Sequence, residues 1–146
     1  DDIVFVGILT NGVFFAKRVQ NKLTHNDSIP VMELDISLYR DDLGSKKDYI
    51  SMGSSSIEMN LDGKHIVLFD DVLSTSRTAR AALNAIFDYG RPKKVSFVVL
   101  FDRNNRQVPI EPNIIGQDVD VDHELRVNVE FFEVVGEDQV VLGQMK

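Results

Sequence analysis

Two adjacent carboxylates, Asp70 and Asp71, follow the apolar run Ile66-Val67-Leu68-Phe69 and lead into a hydroxyl-rich bend, Ser74-Thr75-Ser76-Arg77-Thr78. A carboxylate pair can accept hydrogen bonds from sugar hydroxyls or help hold Mg2+. Hydroxyls and amides just ahead of a helix make a seat for phosphate, because the first N–H groups of a helix have no internal acceptor and the helix dipole is positive there. A sugar phosphate needs both halves of such a site. The residue types alone therefore point to a ligand with a ribose-like diol at one end and a phosphate at the other.

The flanking elements must then be strand, acidic tip, turn and helix. A short continuous apolar run reads as a strand buried on both faces. Ala79, Ala81, Ala82, Leu83 and Ala85 favour helix behind a Ser or Thr cap, and Gly90 with Pro92 ends it. Upstream, Ile3 to Ile8 is a buried strand, and Gly7 and Gly12 bracket a tight loop. Val13 to Leu23 carries Val13, Ala16, Val19 and Leu23 near helical spacing, with Lys17, Arg18, Gln20 and Lys22 on the wet side. After Pro30, Val31 to Leu38 is a second strand. Tyr39 to Ser56 has no periodicity and reads as a long mobile loop, of the kind that is either functional or disordered. Ile57 to Asn60 suggests a short strand before an Asp62-Gly63 turn, and Lys94 to Phe101 another buried strand. Pro109 to Gly116 is read as turn-rich. Val127, Val129 and Phe131 alternate with polar residues as one arm of a hairpin that returns over Gln139 to Leu142. Strands separated by helices over the first hundred residues predict an α/β fold with a mainly parallel sheet, its functional loops on one edge.

The Asp70 to Leu83 stretch resembles the PRPP-binding signature of type I phosphoribosyltransferases. More narrowly, it is similar to the PyrR family of bifunctional pyrimidine operon attenuators and uracil phosphoribosyltransferases. Three further blocks resemble that family in the same order: Gly7-Ile8-Leu9-Thr10-Asn11-Gly12, Glu33 through Leu43, and Leu100-Phe101-Asp102-Arg103 with Arg106 and Pro109-Ile110. The resemblance spans residues from about 4 to 116. It implies the type I phosphoribosyltransferase fold, one domain over residues 1–146 with helices flanking the sheet and a small C-terminal hood or hairpin. Members carry a helical segment ahead of the first strand; the chain opens at Asp1, so that segment is either outside the given residues or shortened in this member.

The resemblance also assigns roles. Asp70 and Asp71 meet the ribose 2- and 3-hydroxyls and Mg2+, and Ser74, Thr75, Ser76, Arg77 and Thr78 wrap the 5-phosphate, with the Ser74 side chain facing ribose or base. Thr10, Asn11 and Gly12 form the pyrophosphate loop. Arg40 reaches pyrophosphate when its loop closes. Asp102, Arg103, Ile114 and Ile115 make the wall and hood over a flat base. Two departures stand out. Relatives carry cations at Leu9 and Asn11, whose loss removes charge stabilisation beside the leaving pyrophosphate. They carry glycine at Ser76, where a positive φ would cost another residue about 1–3 kcal/mol; alternatively the serine hydroxyl adds a phosphate donor that offsets the strain.

Composition narrows the field. At 146 residues the chain is long enough to bury about 68–70% of its unfolded surface. It has no cysteine, so disulfides, thiolate metal sites and cysteine nucleophiles are excluded. No apolar run reaches the length of a membrane span, and the expectation is a cytoplasmic protein. Sixteen basic against 23 acidic side chains give a net charge of −7, which works against capture of RNA by the molecule as a whole. Asp118, Asp120, Asp122 and Glu124 fail the calcium-loop template, with His123 at its glycine position and Val129 at its terminal acid. P-loop and dinucleotide fingerprints are absent. The expected activity is transfer of ribose 5-phosphate from PRPP to uracil with Mg2+, in a homodimer or larger assembly. Its first rival is a nucleotide sensor of the same fold with weakened catalysis, with RNA binding as a weaker variant of that reading. A receiver-like signalling domain ranks last, because the later strand tip carries Asp102-Arg103 where a receiver needs lysine.

Overall fold

The computed structural model describes residues 2–23, 29–40 and 60–144. Five parallel strands form the central sheet: β1 (Ile3–Ile8), β2 (Val31–Leu34), β3 (His65–Leu73), β4 (Lys94–Asp102) and β5 (Ile114–Asp118), in the order β2-β1-β3-β4-β5. Helix α1 (Asn11–Lys22) follows β1, and α2 (Arg77–Asp88) follows β3. Beyond the sheet lie an antiparallel pair, β6 (Leu125–Glu130) and β7 (Gln139–Gln144), and the single-turn helix α3 (Phe132–Val135) between them. The parallel sheet and the C-terminal hairpin follow the expected architecture. The expected strand at 57–60 and the long loop after Arg40 lie outside the described residues, Asn60 excepted.

Two corrections to the sequence expectations concern strand limits. Residues Val31 to Leu38 extend only through Leu34; Asp35 then turns the chain, accepting from the Ser37 amide at 2.9 Å, and Ser37–Tyr39 forms one 3-10 turn. The segment expected to be turn-rich through Gly116 becomes strand from Ile114 onward. Asn113 docks it, its side chain accepting from the Phe97 amide at 2.8 Å and its own amide donating to the Phe97 carbonyl at 2.8 Å. Short apolar pairs such as Ile114-Ile115 carry no period long enough to announce a strand.

Alternation along the strands builds a core on each face of the sheet. Val4, Val6, Ile66, Leu68 and Val99 pack under α2 with Ala79, Ala82, Ala85 and Ile86. Phe5, Phe69 and Val98 pack under α1 with Ala16, and Phe69 sits between Phe5 and Phe15 at ring distances of 4.8 and 5.4 Å. The 3-10 turn is tied to α2 by Tyr39, whose hydroxyl donates to Asp88; that bond lifts the phenol to about 12. The hairpin lies over α1. Val127, Val129 and Phe131 are buried, Phe14 meets Phe131 at 5.9 Å, and Arg18 sits 4.8 Å from the Phe131 ring while bridging Glu133 and Asp138 at 2.7 Å each.

Glycine lets α1 approach the sheet. A Cβ at Gly7 would stand 2.5 Å from the Val13 Cα, and one at Gly12 2.4 Å from the Phe69 carbonyl oxygen. Both obstacles are backbone, so relief requires the helix to move. Gly7→Ala is therefore expected to lower unfolding stability by about 1–3 kcal/mol, as overpacking does. Urea denaturation measures this, and an unchanged midpoint would contradict the close packing.

Candidate functional site

The strand order reverses direction at β1: the chain runs outward from β1 to β2, then crosses back to β3 on β1's other side. In open parallel sheets the crevice at such a switch point, beyond the carboxyl ends of the strands, is where ligands bind. A cleft of about 450 Å³ lies there. It is lined by Ile8 at the end of β1 with Leu9 and Thr10 after it, Asp35 to Ser37 and Arg40 after β2, Asp70, Asp71 and Val72 of β3, and Thr78 of α2. The fold thus brings together Thr10, Arg40, both acids and Thr78, residues drawn from three of the blocks singled out in the sequence. The Leu9–Thr10 peptide is cis.

The acidic pair is embedded in β3, whose last residue is Leu73. Alternation carries Asp70 towards the α2 face, with Ile66 and Leu68, and Asp71 towards the α1 face, with Phe69. Asp70 is only 7% exposed. Its pKa is raised well above the ordinary carboxylate value, first by burial and then by the neighbouring Asp71 charge, although its Oδ1 accepts the Asp71 amide at 2.9 Å. Asp71 is half-buried and gripped on both oxygens: Oδ1 accepts the Val72 amide at 2.8 Å and Oδ2 accepts the Asn11 side-chain amide at 2.9 Å. Asn11 also donates to the Val129 carbonyl of the hairpin at 2.8 Å.

The bend after β3 is held by the segment that follows β4. The Thr75 carbonyl accepts the amides of Gln107 and Val108 at 2.8 and 3.2 Å, and Arg77 Nε donates to the Gln107 side chain at 2.9 Å. Ser76 has φ 72°, ψ 5°, in the left-handed region, so the glycine-favouring conformation is present with a serine in it. Its hydroxyl donates to the Ile110 carbonyl at 2.8 Å and the residue is 2% exposed. The alternative in which this hydroxyl turns to a phosphate is thereby corrected: it braces the strained turn from beneath. The Arg77 amide leans on Thr75 Oγ1 at 3.3 Å, at the open first turn of α2.

The expected base-side residues divide. Arg103 lines a second cleft of about 510 Å³ with Ser74, Thr75, Asn104, Asn105, Arg106, Gln107 and His123. Ser74 Oγ donates to the Asn105 side chain at 3.0 Å across this gap. The buried Arg103 Nε has no acceptor among the described residues. Asp102, by contrast, is fully buried, taking the Asn104 amide at 2.8 Å and the Arg106 guanidinium at 2.5 Å, so it shapes the turn without facing a ligand. Ile114 and Ile115 are 60% and 37% exposed on edge strand β5 and line neither cleft. This corrects the expectation of an apolar base clamp, and arises because the segment pairs with Val98 and Val99 as strand. Sequence reasoning missed Asp35, Ser37, Asn105, Gln107 and His123 as cleft residues. Only Asp35-Ile36-Ser37 carried a signal, as part of a family-like block.

Among the described residues no group of three or more acidic or imidazole side chains forms a metal cage. Mg2+ commonly takes one or two carboxylates and completes its six oxygens with substrate and water. Asp70 and Asp71 fit that partial role.

The chain matches the family model described as phosphoribosyl transferase domain over residues 1–132. It is 38% identical to the bifunctional protein PyrR of Limosilactobacillus fermentum, covering 100% of this chain and 84% of the relative. It is 43% identical to that of Alkaliphilus metalliredigens, covering 99% and 81%. A crystal structure of a hypoxanthine phosphoribosyltransferase from Staphylococcus aureus superposes with TM-score 0.60 at 20% identity, over 80% of this chain and 61% of the other; at that identity the likeness shows the fold alone.

Burial of Asp70 has a measurable consequence. Its folded pKa lies above the unfolded value, so the folded protein holds an extra proton, and stability falls as pH rises from about 3.8 through the folded pKa. Asp70→Asn keeps the acceptor for the Asp71 amide and removes the titration. The variant is expected to melt higher than the parent at neutral pH, with the gap closing towards pH 4. Thermal denaturation across that range tests the sign, and a gap that widens on acidification would refute it.

Proposed function

The chain belongs to the PyrR family of phosphoribosyltransferases, and from that premise we propose that it transfers the 5-phosphoribosyl group of PRPP to uracil, giving UMP and pyrophosphate. The observation that carries this reading is the switch-point cleft. In it two carboxylates near the end of a central strand are gathered with Thr78, from the first turn of the helix after the bend, and with Thr10 and Arg40.

The chemistry asks little covalent work of the protein. The bond from the anomeric carbon to pyrophosphate breaks with its electron pair leaving on oxygen, the ring nitrogen of uracil bonds to that carbon, and the nitrogen's proton passes to solvent. Asp71, held on both oxygens, faces positive charge developing on the ribose. Asp70 holds a hydroxyl of the same ring. The open amides of the bend and the Thr78 hydroxyl take the 5-phosphate, fixing the anomeric carbon between the two clefts. Arg40 supplies positive charge at the pyrophosphate end. Arg103, Ser74 and Asn105 border the second cleft, where donors and acceptors suit the edge of a pyrimidine. Asp70 and Asp71 would hold Mg2+, which would supply further charge neutralisation there.

A second reading has its own observation. The Asn11 amide is spent on Asp71 and Val129, so the pyrophosphate loop presents no cation there. A nucleotide sensor with slow turnover fits that loss. We take the protein to be cytoplasmic and homo-oligomeric. Exposed Phe132, Val134, Val135, Val140 and Leu142 support a protein contact. The relatives' name says bifunctional; RNA as a second ligand runs against the net charge of −7.

UMP formation from PRPP, uracil and Mg2+ tests the proposal. Turnover should fall about 100-fold in Asp71→Asn. No product above that variant, together with calorimetric binding of UMP, selects the sensor; neither product nor binding of PRPP or UMP sinks both.

A further inference from the structure

We propose that Asn11 is a positioning residue that clamps Asp71 and latches the C-terminal hairpin to the acidic pair. Its side-chain amide spends both hydrogens on partners far apart in the chain, Asp71 Oδ2 at 2.9 Å and the Val129 carbonyl at 2.8 Å. The Val72 amide occupies the other Asp71 oxygen at 2.8 Å, so neither oxygen can swing without breaking a bond. The choice of donor matters. A guanidinium or ammonium would also hold the carboxylate, but as an ion pair it would neutralise the charge that the ribose and its cation require. A neutral amide fixes the position and leaves the charge in place.

The same amide joins two bodies of the fold. The hairpin is pinned to α1 at its α3 end by Arg18 on Glu133 and Asp138, and near the acids by Asn11. Phe131, between these points, is buried, as are Val127 and Val129 along β6. Movement of β6 therefore reaches Asp71 through one side chain. Arg18, at the other anchor, touches neither acid and serves as the control.

The kinetic half of this inference rests on the phosphoribosyl-transfer reading; the latch half does not. Asn11→Asp is isosteric but offers carboxylate oxygens where donors are needed, beside another carboxylate. Asn11→Ser, with one short donor, is the milder variant should the first fold poorly. Hydrogen exchange of the β6 and β7 amides should quicken at least tenfold in Asn11→Asp while the α2 amides keep the parent rate. The turnover number should drop at least tenfold, with KM for uracil changed less than threefold, and Asn11→Ser should fall between. Arg18→Ala, which leaves the Asn11 bonds in place, should quicken exchange of the α3 amides and leave turnover within about twofold. Unchanged hairpin exchange in both Asn11 variants overturns the latch. Faster exchange with unchanged turnover overturns the clamp. A parent chain without turnover, whose Asn11→Asp variant still shows faster hairpin exchange, sinks the transferase reading and supports the latch.

Discussion

The structure depends on β3 being paired along both edges, to β1 on one side and β4 on the other. A central strand cannot shift register without exposing apolar side chains on both faces at once, because one face is packed under α1 and the other under α2. That constraint carries two carboxylates to a fixed place at the sheet's end. Asp70 is held in a setting that opposes its ionisation, a cost that the packing of Ile66, Leu68 and Phe69 outweighs. The site is thus destabilising in itself and is maintained by the strand that bears it.

Around that strand the bend is built by tension between local strain and long-range support. Ser76 adopts a conformation suited to glycine, and the segment after β4 stabilises it through Ile110 at the hydroxyl and through Gln107 and Val108 at the neighbouring carbonyl. The buried Asp102–Arg106 pair shapes that segment, with Arg106 also donating to Ile110. Residues that first resemble ligand contacts thus divide into those facing the clefts and those holding the bend in shape. The bend after β3 and the second cleft share one set of hydrogen bonds, so neither is independent of the other.

The departures from the family's wording are structurally coherent. Asn11 gives Asp71 a neutral hydrogen-bond partner and ties the hairpin to the start of α1. Ser76 introduces strain yet gains an acceptor beneath the turn. Each of the two side chains is spent on contacts within the protein.

By itself the sequence determined the strand-acid-bend-helix unit, both flanking helices and the C-terminal hairpin, because each rests on periodicity or turn chemistry among neighbouring residues, and the parallel sheet, because strands alternate with helices along the chain. It also located the acids and the hydroxyl bend, whose residue types carry their chemistry openly. Tertiary structure alone decided that Ile114 and Ile115 form an edge strand, that Asp102 is buried against Arg106 and that the Ser76 hydroxyl turns inward. It alone brought Asn11 between Asp71 and a carbonyl 118 residues away. Those outcomes depend on partners distant in the chain, and a backbone carbonyl such as that of Val129 leaves no mark in the identity of its residue.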